Sequence, residues 1–147
     1  MRSVIQRVCS ASVTIDTVAI ANIGQGLLVL IGIECDDTAQ QAKKLAEKIV
    51  GLRIFEDEDG KMNHSLLDIR GEILVVSQFT LAASCETGRR PSFGSAAPPA
   101  IAEQRYEQFV DELRKLLPTE AVHTGVFRAD MHVALVNDGP VTFVLEQ

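Results

Sequence analysis

Ile73-Leu74-Val75-Val76-Ser77-Gln78-Phe79 is an apolar run that ends in polar residues. Its first four residues carry no polar residue at alternate positions. Such a run reads as a central strand covered on both faces. Working outward, Thr38 opens a helix with Gln41 as its capping-box partner. Ala42, Leu45, Ala46 and Ile49 form that helix's inward stripe, and it ends near Gly51. After the central run, periodicity disappears from about Ala82 to Pro99. A long structureless stretch in a small domain often carries function. Pro98-Pro99 then starts a second helix with the stripe Ala102, Tyr106, Phe109, Val110, Leu113, Leu116 and Leu117, stopped by Pro118.

The flanks read as strands. Ile5 to Ile15 alternates, with Ile5, Arg7, Cys9, Ala11, Val13 and Ile15 on one face. Asp16-Thr17 is a turn region. A second strand runs from about Ile20 to Ile33, its glycines marking bulges or close approaches, and pairs with the first as a hairpin. Arg53-Ile54-Phe55 is a short strand before the acidic turn at Glu56–Gly60, and residues 61–71 look irregular. The tail gives strands at Val122–Phe127, His132–Asn137 and Val141–Leu145, the last two joined by Asp138-Gly139-Pro140. The order ββαβ(β)β, loop, αβββ has more hairpins than helical crossovers. It predicts an α+β fold over residues 1–147 as a single domain: a mostly antiparallel sheet or barrel with two packed helices.

Composition narrows the function. The chain has 147 residues, 46% hydrophobic and 23% charged, with a net charge of −6. That is ordinary for a globular domain and argues against a nonspecific nucleic-acid binder, though not against one that grips only an RNA end. No apolar run is long enough to span a bilayer and no leader is visible, so a cytoplasmic protein without a membrane partner is expected. Cys9, Cys35 and Cys85 match no metal or redox spacing and read as reduced thiols. His64, His123 and His132 are scattered, so no metal and no cofactor are expected. Asp57-x-Asp59-Gly60 lacks the remaining calcium-loop ligands, and no serine sits in a nucleophile elbow.

Several features remain. Ser77-Gln78-Phe79-Thr80 emerges at the end of the central strand, where hydroxyls, an amide and backbone N–H groups can bind a carbonyl or a ribose. The plainer alternative is a strand end whose hydroxyls cap the next turn. Asp138-Gly139-Pro140 is either a hairpin turn or a rigid cis-proline corner. Arg7, on an apolar face, either needs buried partners or reaches water at the rim. Gly88-Arg89-Arg90-Pro91-Ser92-Phe93 either holds a phosphate and a base or is a solvated basic turn.

Ser77-Gln78-Phe79-Thr80-Leu81 and Asn137-Asp138-Gly139-Pro140-Val141-Thr142 together resemble the two signature motifs of the D-aminoacyl-tRNA deacylases. The resemblance extends through Ile5-Gln6-Arg7-Val8, Gly26–Leu30, Arg53-Ile54-Phe55, Gly60–Asn63, Arg90–Phe93 and Gly125-x-Phe127-x-Ala129-x-Met131. Asp16–Asn22 departs from it by lacking a glycine-containing turn. The resemblance implies a homodimer, with its site at the subunit interface, that cleaves D-amino acids and mischarged glycine from the tRNA 3′ end. It implies a cis Gly139-Pro140 that crosses into the partner's pocket and excludes L side chains. Arg7 would brace that corner, and Phe79 and Met131 would contact substrate. Ser77, Gln78 and Thr80 would stand nearest the chemistry, with Thr80 either a nucleophile or a bystander to catalysis assisted by the tRNA 2′-OH. The competing readings are a tRNA-end binder without turnover and a small-ester esterase.

Overall fold

A computed structural model describes residues 1–86 and 88–147. The strands are β1 (Arg2–Ile15), β2 (Val18–Ile23), β3 (Gly26–Gly32), β4 (Phe55–Glu56), β5 (Met62–His64), β6 (Glu72–Ser77), β7 (Val122–Thr124) and β8 (His132–Glu146). The helices are α1 (Ala39–Gly51), the single turn α2 (Leu66–Ile69) and α3 (Pro99–Leu116), with 3-10 turns at Phe79–Ala82 and Thr119–Ala121. The main sheet runs β2-β1-β3-β6-β7, with β8 along the other edge of β1. β2 curls round to approach β6 and β7, so the sheet is nearly closed and barrel-like. The architecture is α+β. None of the helices among the described residues is long and apolar enough to cross a membrane.

β6 is the doubly covered central strand that its apolar run predicts. Ile73 and Val75 face one core with Ile5, Val29, and the inward stripes of α1 and α3. Leu74 and Val76 face a second core with Val8, Leu28, Ala11 and Val13. The expected capping box of α1 is present, with Thr38 accepting from Gln41 N and Gln41 reciprocating at the cap. α3 starts at Pro99 as expected, but Leu116, expected in its inward stripe, is exposed: it falls off the face that buries Leu113 and Leu117.

β1 does not keep one apolar face throughout. Cys9, expected inward, is exposed. Val8 pairs with Asn137 and Ser10 with Val136, so Cys9 is one extra residue in the ladder. One extra residue inverts every later side chain in a period-two strand. Ile5 therefore joins the helix-covered core, whereas Ala11 and Val13 join the opposite one.

Other boundaries also move. The expected second strand is two, β2 and β3, which serve opposite halves of β1 along the same edge. β3–β6 and β6–β7 are parallel pairs, reached by crossovers through α1 and α3, so the sheet is mixed although its other pairings are antiparallel. The strand expected at Arg53–Phe55 is Phe55–Glu56, and the irregular stretch 61–71 contains β5 and α2. The strand expected at Val122–Phe127 stops at Thr124. The loop from Ala82 to Pro99 is tied by short bridges, Ser84 to Ser92 and Glu34 to Ala96; Thr87 within it lies outside the described residues.

The largest correction concerns Asp138-Gly139-Pro140. It is not a hairpin turn between two strands. β8 is continuous, and both its halves pair antiparallel with β1. Gln6 pairs with Thr142 and Val8 with Asn137, so residues 138–141 bulge out opposite Arg7 alone. A hairpin would have paired the two halves with each other; here both pair with β1 instead.

Candidate active site

β6 delivers Ser77 and Gln78 to the sheet's edge, where the chain turns into the 3-10 segment Phe79–Ala82. The turn is held close to the sheet. Gln78 N donates to Ile31 O at 2.7 Å, and a Cβ on Gly32 would stand 2.8 Å from Leu81 Cβ and 3.0 Å from Gln78 O. Only a residue without a side chain lets the turn approach β3 this closely.

Ser77, Gln78 and Phe79 line a cavity of about 520 Å³. Its other walls come from β3 and β8, the start of α3, and the segment Phe127–Met131. Arg128, in the left-handed conformation at φ 61°, turns that segment back over the cavity. Met131, expected at the site, is there; Phe127, Arg128, Asp130 and the pair Ala96-Ala97 join it. Phe127 and Met131 stand in the quoted Gly125–Met131 pattern, but Ala96 and Ala97 carry no chemical signal that a sequence could display.

The lining is mostly apolar. Arg128 and Asp130 are its only titratable side chains among the described residues. His64, His123 and His132 are not among them. Thr80, exposed beside the cavity, accepts a hydrogen bond from the Gln78 amide at 2.6 Å. The Phe79 and Thr80 N–H groups open the 3-10 turn and find no acceptor among the described residues, and Gln78 offers no side-chain cap. Such orphan donors suit an oxygen carrying developing negative charge. Nearby, burial pushes the Tyr106 hydroxyl pKa well up, and it stays a neutral donor to Val75 O at 3.0 Å.

Arg7, Gly139 and Pro140 form a second constellation, away from that cavity. Arg7 is buried, not at the rim. Its Nε donates to Asp138 O at 3.2 Å and lies 3.1 Å from Asp138 Oδ2. Its Nη1 donates to Ile54 O at 2.6 Å, and its Nη2 to Glu56 Oε1 at 3.3 Å. The guanidinium thus ties the bulge of β8 to β4. The Gly139-Pro140 bond is cis, and both residues are exposed. Gly139 has φ 122°, and a Cβ there would meet Val141 Cγ2 at 2.8 Å and Val141 N at 3.0 Å. None of Arg7, Gly139 and Pro140 lines the cavity of its own chain.

Comparison with known proteins gives the family and the fold. A family model described as D-Tyr-tRNA(Tyr) deacylase matches residues 4–146. A D-aminoacyl-tRNA deacylase of Geotalea uraniireducens is 58% identical, the alignment covering 99% of this chain and 93% of the relative. One from Pelobacter propionicus is 56% identical over the whole of both chains. A solved structure described as c-Myc DNA Unwinding Element Binding Protein has a TM-score of 0.96 at 44% identity, covering 100% of this chain and 99% of that one. A probable eukaryotic D-amino acid tRNA deacylase, at 17% identity and a TM-score of 0.82 over 98% of this chain and 97% of the other, shares the fold. The chain belongs to the D-Tyr-tRNA(Tyr) deacylase family.

Proposed function

We propose that this chain hydrolyses the ester between a D-amino acid, or mischarged glycine, and the 3′-terminal ribose of tRNA, acting in the cytoplasm as a homodimer. Family membership supports the deacylase activity: the chain is an aminoacyl-tRNA ester hydrolase. The observation that carries the finer reading is the separation of the two constellations. Ser77, Gln78 and Phe79 line the cavity, with the unpaired Phe79 and Thr80 N–H groups at the turn that follows, while Gly139 and Pro140 stand exposed outside it. A second copy of the chain brings them together if the corner of one protomer enters the cavity of its partner.

The outer edge of β8, unpaired among the described residues, supports a dimer. This strand of 15 residues presents Val136, Phe143 and Val144 to solvent. A long, partly apolar edge is a pairing surface unless something covers it. Chirality then follows from exclusion. The Gly139-Pro140 corner, braced through Asp138 by Arg7, occupies the space an L side chain needs and leaves room for hydrogen or a D side chain.

In the reaction, water adds to the ester carbonyl carbon, and the carbonyl oxygen takes up negative charge beside the Phe79 and Thr80 N–H groups. The C–O bond to the ribose then breaks. The 3′-oxygen leaves with a proton, giving free amino acid and tRNA. The cavity's poverty in acids and bases favours the neighbouring tRNA 2′-OH as the group that orients the water and relays the proton.

The test is deacylation of matched D- and L-tyrosyl-tRNA by the wild type and by Gly139→Ala. The wild type should release D-tyrosine and spare the L-ester. Gly139→Ala forces a Cβ against Val141 at an unfavourable φ, so the corner shifts and discrimination should fall at least tenfold. Cleavage of neither ester by the wild type would leave a tRNA-end binder as the better reading.

A further inference from the structure

We infer that Phe79 and Phe93 form a stacking platform for the base of the penultimate nucleotide of the substrate tRNA. The inference rests on the deacylase reading and extends its site by one nucleotide. The two rings pack with centroids 5.0 Å apart at 40°. They are nevertheless 61% and 40% exposed. Phe79 also lines the cavity, so the pair continues its wall out to the surface.

The platform is preformed. Ser84 and Ser92 exchange backbone hydrogen bonds of 2.8 and 2.9 Å, which close the loop immediately before Phe93. Just beyond, Ala96 N donates to Phe93 O at 3.1 Å, Ser95 Oγ donates to Ala82 O, and Cys35 N donates to Ser95 O at 3.0 Å. Phe93 is therefore held against the segment that follows β3 and against the 3-10 turn that carries Phe79. Its exposure does not come from a loose loop.

The occupant follows from continuity and chemistry. With the esterified terminal nucleoside in the cavity, the next group along the strand reaches the cavity mouth. The acceptor end of tRNA is single-stranded, so that base has a free π-face. Aromatic rings at the edge of a site bind such bases without reading their identity, each contributing roughly tenfold or more in affinity. Arg89 and Arg90, both exposed and just upstream of Phe93, bring positive charge to the same loop in an otherwise acidic chain.

The test titrates the full-length protein with adenosine 5′-monophosphate and with the dinucleotide cytidylyl-(3′→5′)-adenosine, beside deacylation of D-tyrosyl-tRNA. The wild type should bind the dinucleotide about tenfold more tightly than the monophosphate. Phe93→Ala should abolish that preference and raise KM for the tRNA about tenfold, and Phe93→Trp should restore both. No dinucleotide preference in the wild type, equal weakening of both ligands in Phe93→Ala, or a change of oligomeric state in that variant overturns the inference. Failure of the wild type to deacylate D-tyrosyl-tRNA overturns the deacylase reading instead, whatever the titrations give.

Discussion

Thr80 is the residue most easily mistaken for a nucleophile. Its hydroxyl oxygen accepts from the Gln78 amide, and no histidine or lysine among the described residues lines the adjoining cavity. A serine- or threonine-type nucleophile needs a base within hydrogen-bond reach. Thr80→Ala is therefore expected to keep kcat within about tenfold of wild type in deacylation of D-tyrosyl-tRNA, with no acyl-enzyme trapped on rapid quenching. A loss of several orders of magnitude, with tRNA binding intact, would make the hydroxyl the nucleophile. Arg7 shows how far single residues can be read. Its place on an apolar face was legible from strand parity alone. Its partners were not, since Ile54, Glu56 and Asp138 are remote in sequence and meet only through β4 and the bulge of β8.

At the scale of elements, the site depends on how closely the Phe79–Ala82 turn approaches β3. Gly32→Ala places a methyl 2.8 Å from Leu81 Cβ and 3.0 Å from Gln78 O. The turn must move outward, carrying the N–H groups of Phe79 and Thr80 with it. The expected outcome is a loss of about 1–3 kcal/mol of stability by denaturant titration. Activity toward D-tyrosyl-tRNA should also fall, through kcat, because the proposed reaction places the displaced donors at the reacting oxygen. β6, α1 and α3 were legible because each has a strong local signal: a continuous apolar run, a capping box, a proline start. The bulge at Cys9 was not. Nothing in Val8-Cys9-Ser10 marks an extra residue; the slip exists only in the ladder with β8, where Val8 meets Asn137 and Ser10 meets Val136.

At the scale of the whole molecule, a complete site requires two chains if the exposed Gly139-Pro140 corner works in a partner's cavity. Val136 is 58% exposed on β8, close to that corner. Val136→Lys puts a charge on the proposed contact surface, and burying an unpaired charge is strongly unfavourable. Light scattering should show the wild type as a dimer and Val136→Lys shifted toward monomer. Deacylation should fall in step with the lost dimer, while the variant's thermal unfolding stays within a few degrees because the side chain is exposed within one chain. A fully active monomer would remove the second chain from the site.

The amino-acid sequence by itself determined the α+β class, the central strand, the two main helices and the two motifs that mark the family. These rest on local periodicity, caps and residue types close together in the chain. Only the tertiary structure decided that β3, β6 and β7 run parallel, that the odd-numbered side chains of β1 change core across Cys9, and that residues 138–141 bulge within one strand. It alone showed that Arg7 holds that bulge while Ser77–Phe79 line a separate cavity. Each of these turns on which distant segments compete for the same ladder or the same buried space, and a competition between distant partners leaves no mark in any one stretch of sequence.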